Sequence, residues 1–116
     1  MFLELAHTRL TVFTYSEKLV IACYLLTRLF PTEERFVMSQ QIRRASLSVH
    51  LNIAEGSSRK SVTERRRFFE IARGSLIETD TIIFMATKLN FISAEQTVHL
   101  KEIIIQTFKL LTGMLK

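Results

Sequence analysis

Residues 56–64, Gly56-Ser57-Ser58-Arg59-Lys60-Ser61-Val62-Thr63-Glu64, separate two long runs of helical periodicity and so decide the fold. Upstream, Met38, Ile42, Ala45, Val49 and Asn52 recur every three or four residues. Downstream, Phe69, Ala72, Leu76, Thr79, Ile83 and Ala86 do the same. This 3–4 alternation is the seam of a bundle helix. Within the break, Gly56 suits the left-handed residue that ends a helix. Ser61 and Glu64 have the spacing of a capping box, in which hydroxyl and carboxylate each satisfy a free backbone N–H. So short a connection makes the two helices antiparallel neighbours.

Two further breaks flank this hairpin. Pro31 pushes Phe30 out of the helical region and ends a first helix, while Thr32 can cap the next with Glu33 and Glu34 in its first turn. Asn90-Phe91-Ile92 ends the third long segment, and Ser93-Ala94-Glu95-Gln96 reads as a second capping box. The outer helices repeat the pattern at Val12, Ser16, Leu19, Cys23, Leu26 and Phe30, and at Ile104, Phe108, Leu111 and Leu115. The reading is an all-α, single-domain, up-down-up-down antiparallel four-helix bundle, with helices over roughly 8–30, 33–55, 62–89 and 94–115.

Composition agrees with this and excludes several classes. Three glycines and one proline in 116 residues leave too few turn residues for an all-β chain. One cysteine, Cys23, permits neither an internal disulfide nor a Cys-based zinc site within one chain. The longest apolar run, Leu19–Leu26, has eight residues, far short of the ~20 that span a bilayer. With no basic leader or small-residue cleavage site at the start, a cytoplasmic location without membrane association is expected. The apolar stripes are wide for a monomer. Leu100, Ile103, Thr107, Leu110 and Met114 form a second row on helix 4, and Val20, Tyr24 and Leu25 widen helix 1. A homo-oligomer is therefore expected.

Charge is unevenly placed. The net charge is +5, yet residues 35–73 hold nine basic side chains against three acidic ones, and the rest of the chain is slightly negative. Arg59, Lys60, Arg65, Arg66 and Arg67 crowd one end of the bundle. Arg66 and Arg73 share a face, and Arg43 and Arg44 lie further back on helix 2. Eight of the nine are arginines, whose planar fork suits phosphate. The pattern is that of a polyanion-binding surface, with a solvated face as the plain alternative. Arg43, Arg44, Arg59, Lys60, Arg65, Arg66, Arg67 and Arg73 are the candidate nucleic-acid contacts, reading backbone rather than sequence. Phe68 and Phe69 could stack on bases, but Phe69 lies on the seam and reads as core.

Catalytic constellations are missing. There is no glycine-rich phosphate loop, nucleophile elbow or metal-binding histidine pair, and no metal or cofactor is expected. Arg44 and His50 have the Arg–five-residue–His spacing that resembles HEPN-type ribonucleases, a short pattern that also arises by chance. Ser48, Asn52, Glu55 and Glu78 read as an interhelical polar network and Gly56 as a cap, with Glu55 or Glu78 meeting an arginine. The chain thus reads as a binding protein, not an enzyme.

Gln41-Ile42-Arg43-Arg44-Ala45, Ser48-Val49 and Asn52-Ile53-Ala54-Glu55-Gly56 resemble the central motif of the four-helix proteins encoded in 23S rRNA intervening sequences. Phe30-Pro31 with Glu34, Ile71-Ala72-Arg73-Gly74-Ser75 with Glu78, and Leu89-Asn90-Phe91-Ile92 extend the resemblance over most of the chain. Two positions depart from it: His50 stands where the family often has proline, and Thr79-Asp80 replaces the more usual Leu-Glu. The resemblance implies an all-α bundle, often a ring-like homopentamer, without established catalysis and with RNA ahead of DNA as ligand. It also extends to accessory proteins of diversity-generating retroelements, which implies a reverse transcriptase as an alternative partner.

Overall fold

The computed structural model describes residues 1–116. Four helices, α1 (Thr11–Leu26), α2 (Met38–Ser57), α3 (Val62–Lys88) and α4 (Val98–Met114), run up-down-up-down with no strand between them. Each packs on its sequence neighbours and α1 also packs on α4, with the most extensive interface between α2 and α3. The α2–α3 turn, the start of α1 and the end of α4 therefore share one end of the bundle. The α1–α2 and α3–α4 turns share the other.

The seam residues fill the core. Leu19, Cys23, Ile42, Val49, Ile53, Ala72, Leu76 and Leu111 are almost wholly buried, and Phe30 and Phe91 pack across the two turns with ring centroids 6.0 Å apart. Burial pushes the Cys23 thiol up to about 12, so it remains a protonated core side chain. Thr79, the polar departure in the seam, is fully buried and donates to the Ser75 carbonyl one turn back at 2.9 Å, so no hydroxyl is stranded there.

Four local expectations are corrected. First, three helices start later than periodicity implies. Short 3-10 turns occupy Ala6–Arg9, Thr27–Leu29, Thr32–Glu34 and Glu95–Thr97, and Thr32 opens such a turn instead of capping α2. Pro31 has no N–H and holds Phe30 extended at ψ 151°, so the chain needs two tight turns before α2 can begin. Second, Gly56 is not left-handed: no glycine has positive φ, and Gly56 lies buried within α2. A Cβ there would lie 2.8 Å from Phe69 Cε1 and 2.9 Å from Phe68 Cβ, so the glycine is required by the approach of α3. Third, Glu55 is exposed and pairs at 2.8 Å with Arg59, four residues on in the α2–α3 turn, outside any interhelical network. Fourth, the second row of helix 4 is not surplus. Leu100, Ile103 and Thr107 are buried in the single chain, and Leu110 and Met114 pack against its core.

Other ends follow the sequence signals. Ser61 Oγ accepts from the Glu64 N–H at 3.3 Å, while the Glu64 carboxylate turns to Arg67 instead of back to Ser61. Ser93 and Gln96 form the reciprocal box, at 2.9 and 3.4 Å. After α3, Asn90 takes φ 62°, and the Phe91 and Asn90 N–H groups return to the Ala86 and Thr87 carbonyls, a Schellman closure.

These three glycines separate packing from propensity. Gly56→Ala overpacks the α2–α3 contact and is expected to destabilise the fold by about 1–3 kcal/mol. Gly74 and Gly113 have open space around the added methyl, so Gly74→Ala and Gly113→Ala are expected to stabilise by about 0.5–1 kcal/mol each. Urea denaturation of the three variants checks the opposite signs.

Candidate nucleic-acid interface

The basic residues divide into two groups that the fold holds apart. One surrounds the α2–α3 turn. There Phe68 lies between two guanidinium groups, Arg59 at 4.8 Å and Arg67 at 5.5 Å from its ring centroid. Arg59 pairs with Glu55 at 2.8 Å and Arg67 with Glu64 at 3.3 Å, both on the surface. These are the two ion pairs of the chain, and at such exposure each is worth about 0–1 kcal/mol. Lys60, Arg65 and Arg66 are exposed with no carboxylate partner. Arg65 and Arg66 border a shallow cleft with Val62, Phe69 and Met114, which extends the basic end toward α4. Phe69 itself is core, 3% exposed.

Arg73, further along α3, is half-buried. Its guanidinium lies 6.0 Å from the Phe108 ring centroid and donates to Thr112 Oγ1 at 3.5 Å. It is committed to the α3–α4 contact more than to solvent.

The second group stands at the start of α2. From Arg44 to the end of α2 is about 20 Å of helix rise, so this group does not merge with the first. Arg43 is half-buried and pinned: its Nε and Nη2 donate to Thr27 Oγ1 at 3.2 and 2.9 Å, and that hydroxyl donates to the Tyr24 carbonyl at 2.7 Å. The pinned guanidinium lies 4.9 Å from the Tyr24 ring centroid. Arg44 is exposed beside it. Arg35 and Phe36, which the sequence reading did not single out, complete this group. The available signal was an Arg-Phe pair in a turn with no apolar periodicity to bury the ring.

The polar residues of α2 and α3 form a modest link. Ser48 Oγ lies 2.9 Å from Ser75 Oγ, and Asn52 Nδ2 donates to the Ser48 carbonyl and hydroxyl. Glu78 accepts from Gln41 Nε2 on the surface. No arginine joins this set.

His50 has a packing role. Its ring stacks on Phe13 at 4.2 Å, with His7 edge-on to Phe13 at 5.0 Å, and its Nδ1 lies 2.6 Å from Ser16 Oγ. Nδ1–H donating to Ser16, which donates in turn to the Phe13 carbonyl at 3.0 Å, satisfies both groups. Arg44 and His50 are six residues apart, hence about 9 Å along the helix and about 120° around it. They do not face one point. No group of three His, Cys, Asp or Glu side chains converges on a metal position. No helix is long and apolar enough to cross a membrane.

The surface carries several large apolar side chains on three helices. Ile21 and Leu25 on α1, Leu47 and Leu51 on α2, and Ile77 and Phe84 on α3 are 37–57% exposed.

The family model described as 23S rRNA-intervening sequence protein matches residues 8–113. Among solved structures, a protein of unknown function from the S23 ribosomal protein family of Bacteroides thetaiotaomicron is 25% identical. The match covers 91% of this chain and 99% of that one, with a TM-score of 0.84. No curated protein matches the chain.

Burial lowers the His50 pKa below the usual imidazole value, against a smaller raising effect of Glu17 and a lowering one of nearby His7. The folded state thus binds this proton less readily than the unfolded chain. Stability is full above about pH 6.5 and falls as pH drops below that value. Urea midpoints at about pH 7.5 and about pH 5.5 are expected to show the fall, and His50→Gln to reduce it.

Proposed function

The chain belongs to the 23S rRNA-intervening sequence protein family, and from that membership we propose that it is a non-enzymatic, oligomeric nucleic-acid-binding protein that prefers RNA to DNA. The observation that carries this reading is the run Arg65-Arg66-Arg67 at the start of α3. All three side chains are exposed, so packing does not require them. They follow closely on the positive end of the α3 dipole, where cations are disfavoured, and they repel one another. Only Arg67 has a carboxylate partner. Charge set against both local terms is explained by a polyanion that relieves it. Arg59 and Lys60 extend the same surface across the turn, and Arg44 adds a second positive zone on the shared α2.

The exposed apolar side chains on α1, α2 and α3 support self-association. A closed ring would repeat the basic end around its axis, so that one RNA engages several copies and gains avidity. A pentamer is the expected state, as the resemblance to the intervening-sequence proteins implies. Contacts would fall on phosphates, giving affinity with little sequence preference. The family name supports RNA over DNA as the polymer.

A salt series with labelled structured RNA and duplex DNA tests the reading. Binding is expected to fall steeply with salt, and replacing Arg65, Arg66 and Arg67 by Ala to flatten the log–log slope by about 2–3. No binding of either polymer at modest salt contradicts the reading and redirects attention to a protein partner such as a reverse transcriptase.

A further inference from the structure

Between the α1–α2 turn and the first turns of α2 lies a cleft of about 470 Å³, lined by Tyr24, Arg35, Phe36, Gln40, Arg43, Arg44 and Leu47. This volume is within the ~300–1,000 Å³ of small-ligand sites. We infer that it is a binding site for a single-stranded nucleotide, with the base stacked on Phe36 and its phosphate held by Arg35 and Arg44. The inference deepens the nucleic-acid reading above and rests on it.

Three features point to this ligand. The first is an aromatic surface without a packing role. Phe36 is 76% exposed, although the Arg35 guanidinium lies 5.0 Å from its ring centroid, so ring surface remains for a base. Val37, with φ −120° and ψ −94°, interrupts the backbone between Phe36 and the helix. Tyr24, 40% exposed, offers a second ring, backed by the pinned Arg43. Bases stack on such rings whatever their identity.

The second feature is unneutralised charge. Arg35, Arg43 and Arg44 pair with no carboxylate, and Glu33 and Glu34, adjacent in sequence, form no ion pair with them. Exposed Arg35 and Arg44 both line the cleft and are available to an anion held there, while Arg43 is held in place by Thr27 and contributes its field. The third is the start of α2 itself. It has no side-chain cap and no acid in its first turn, so unpaired backbone N–H groups add to the positive potential. Gln40, in that first turn, has an amide that can donate to or accept from a base edge.

Together these form an aromatic–arginine clamp for an unpaired nucleotide, which a duplex with stacked bases cannot enter. The Arg65–Arg67 end can hold the backbone of either form.

The chain has no tryptophan, so Phe36→Trp provides a sole indole at the site. The experiment titrates this variant with a single-stranded RNA oligonucleotide and with its duplex, following indole emission and the anisotropy of a label on the RNA. Saturable quenching by the single strand only is expected. Phe36→Ala should weaken single-strand affinity about tenfold, with the salt slope and duplex affinity unchanged. Arg44→Ala should weaken the single strand and flatten the slope by about one. RNA binding without quenching, and with Phe36→Ala at wild-type affinity, overturns the inference and leaves the nucleic-acid reading intact. A change in sedimentation with unchanged affinity also overturns it, identifying the cleft as a contact between copies. Absence of any RNA binding removes both readings.

Discussion

The close approach of α2 and α3 at Gly56 is the constraint on which the rest of the molecule depends. The Phe69 ring and the Phe68 Cβ come so near that even a methyl group at position 56 would force α2 and α3 to shift. Further along the same interface, Ser48 and Ser75 meet through their hydroxyls and hold the helices in register. This interface is the most extensive in the bundle, and it sets the turn that carries Arg59 and Lys60. Because Phe69 is drawn into the core, its neighbour Phe68 stays near the surface, where Arg59 and Arg67 flank it. A packing contact of the Phe69 ring and the Phe68 Cβ with one glycine thus determines how the positive end is displayed.

Electrostatics then acts on a rigid frame. With only two exposed ion pairs, the structure contributes little internal neutralisation to a surplus concentrated in one third of the chain. Stability comes from the seam residues and the helix ends, so the arginines are free of a folding role apart from two. Arg43 is bound to Thr27 and Tyr24, and Arg73 rests on Phe108. Those two brace neighbouring helices, Arg59 and Arg67 each share a surface ion pair, and Arg44, Lys60, Arg65 and Arg66 have no carboxylate partner.

The bundle was legible because its signals are local. Seam positions at three- and four-residue steps, Ser61 with Glu64, Ser93 with Gln96, and Asn90 in the closing turn all act within a few residues of themselves. What was not legible depends on residues far apart in sequence. Gly56 looks like a helix terminator until Phe69, thirteen positions on, is seen against it. Glu55 shares a helical stride with Asn52, yet its carboxylate turns outward to Arg59. Arg43 and Arg44 are adjacent and chemically alike, and only the position of Thr27 on the neighbouring segment distinguishes the pinned one from the free one. The start of α2 moved because Pro31 acts over the whole turn that follows it. His50 was paired with Arg44 by spacing alone, whereas Phe13 and Ser16 on α1 decide what its ring does.

The most direct test of the account is backbone hydrogen exchange on the intact protein with and without a single-stranded RNA oligonucleotide. The account predicts added protection in two segments, about residues 57–67 across the α2–α3 turn and about residues 34–40 at the start of α2, with α4 unchanged. Protection centred on α4, or none in either segment at RNA concentrations that saturate binding, would contradict it.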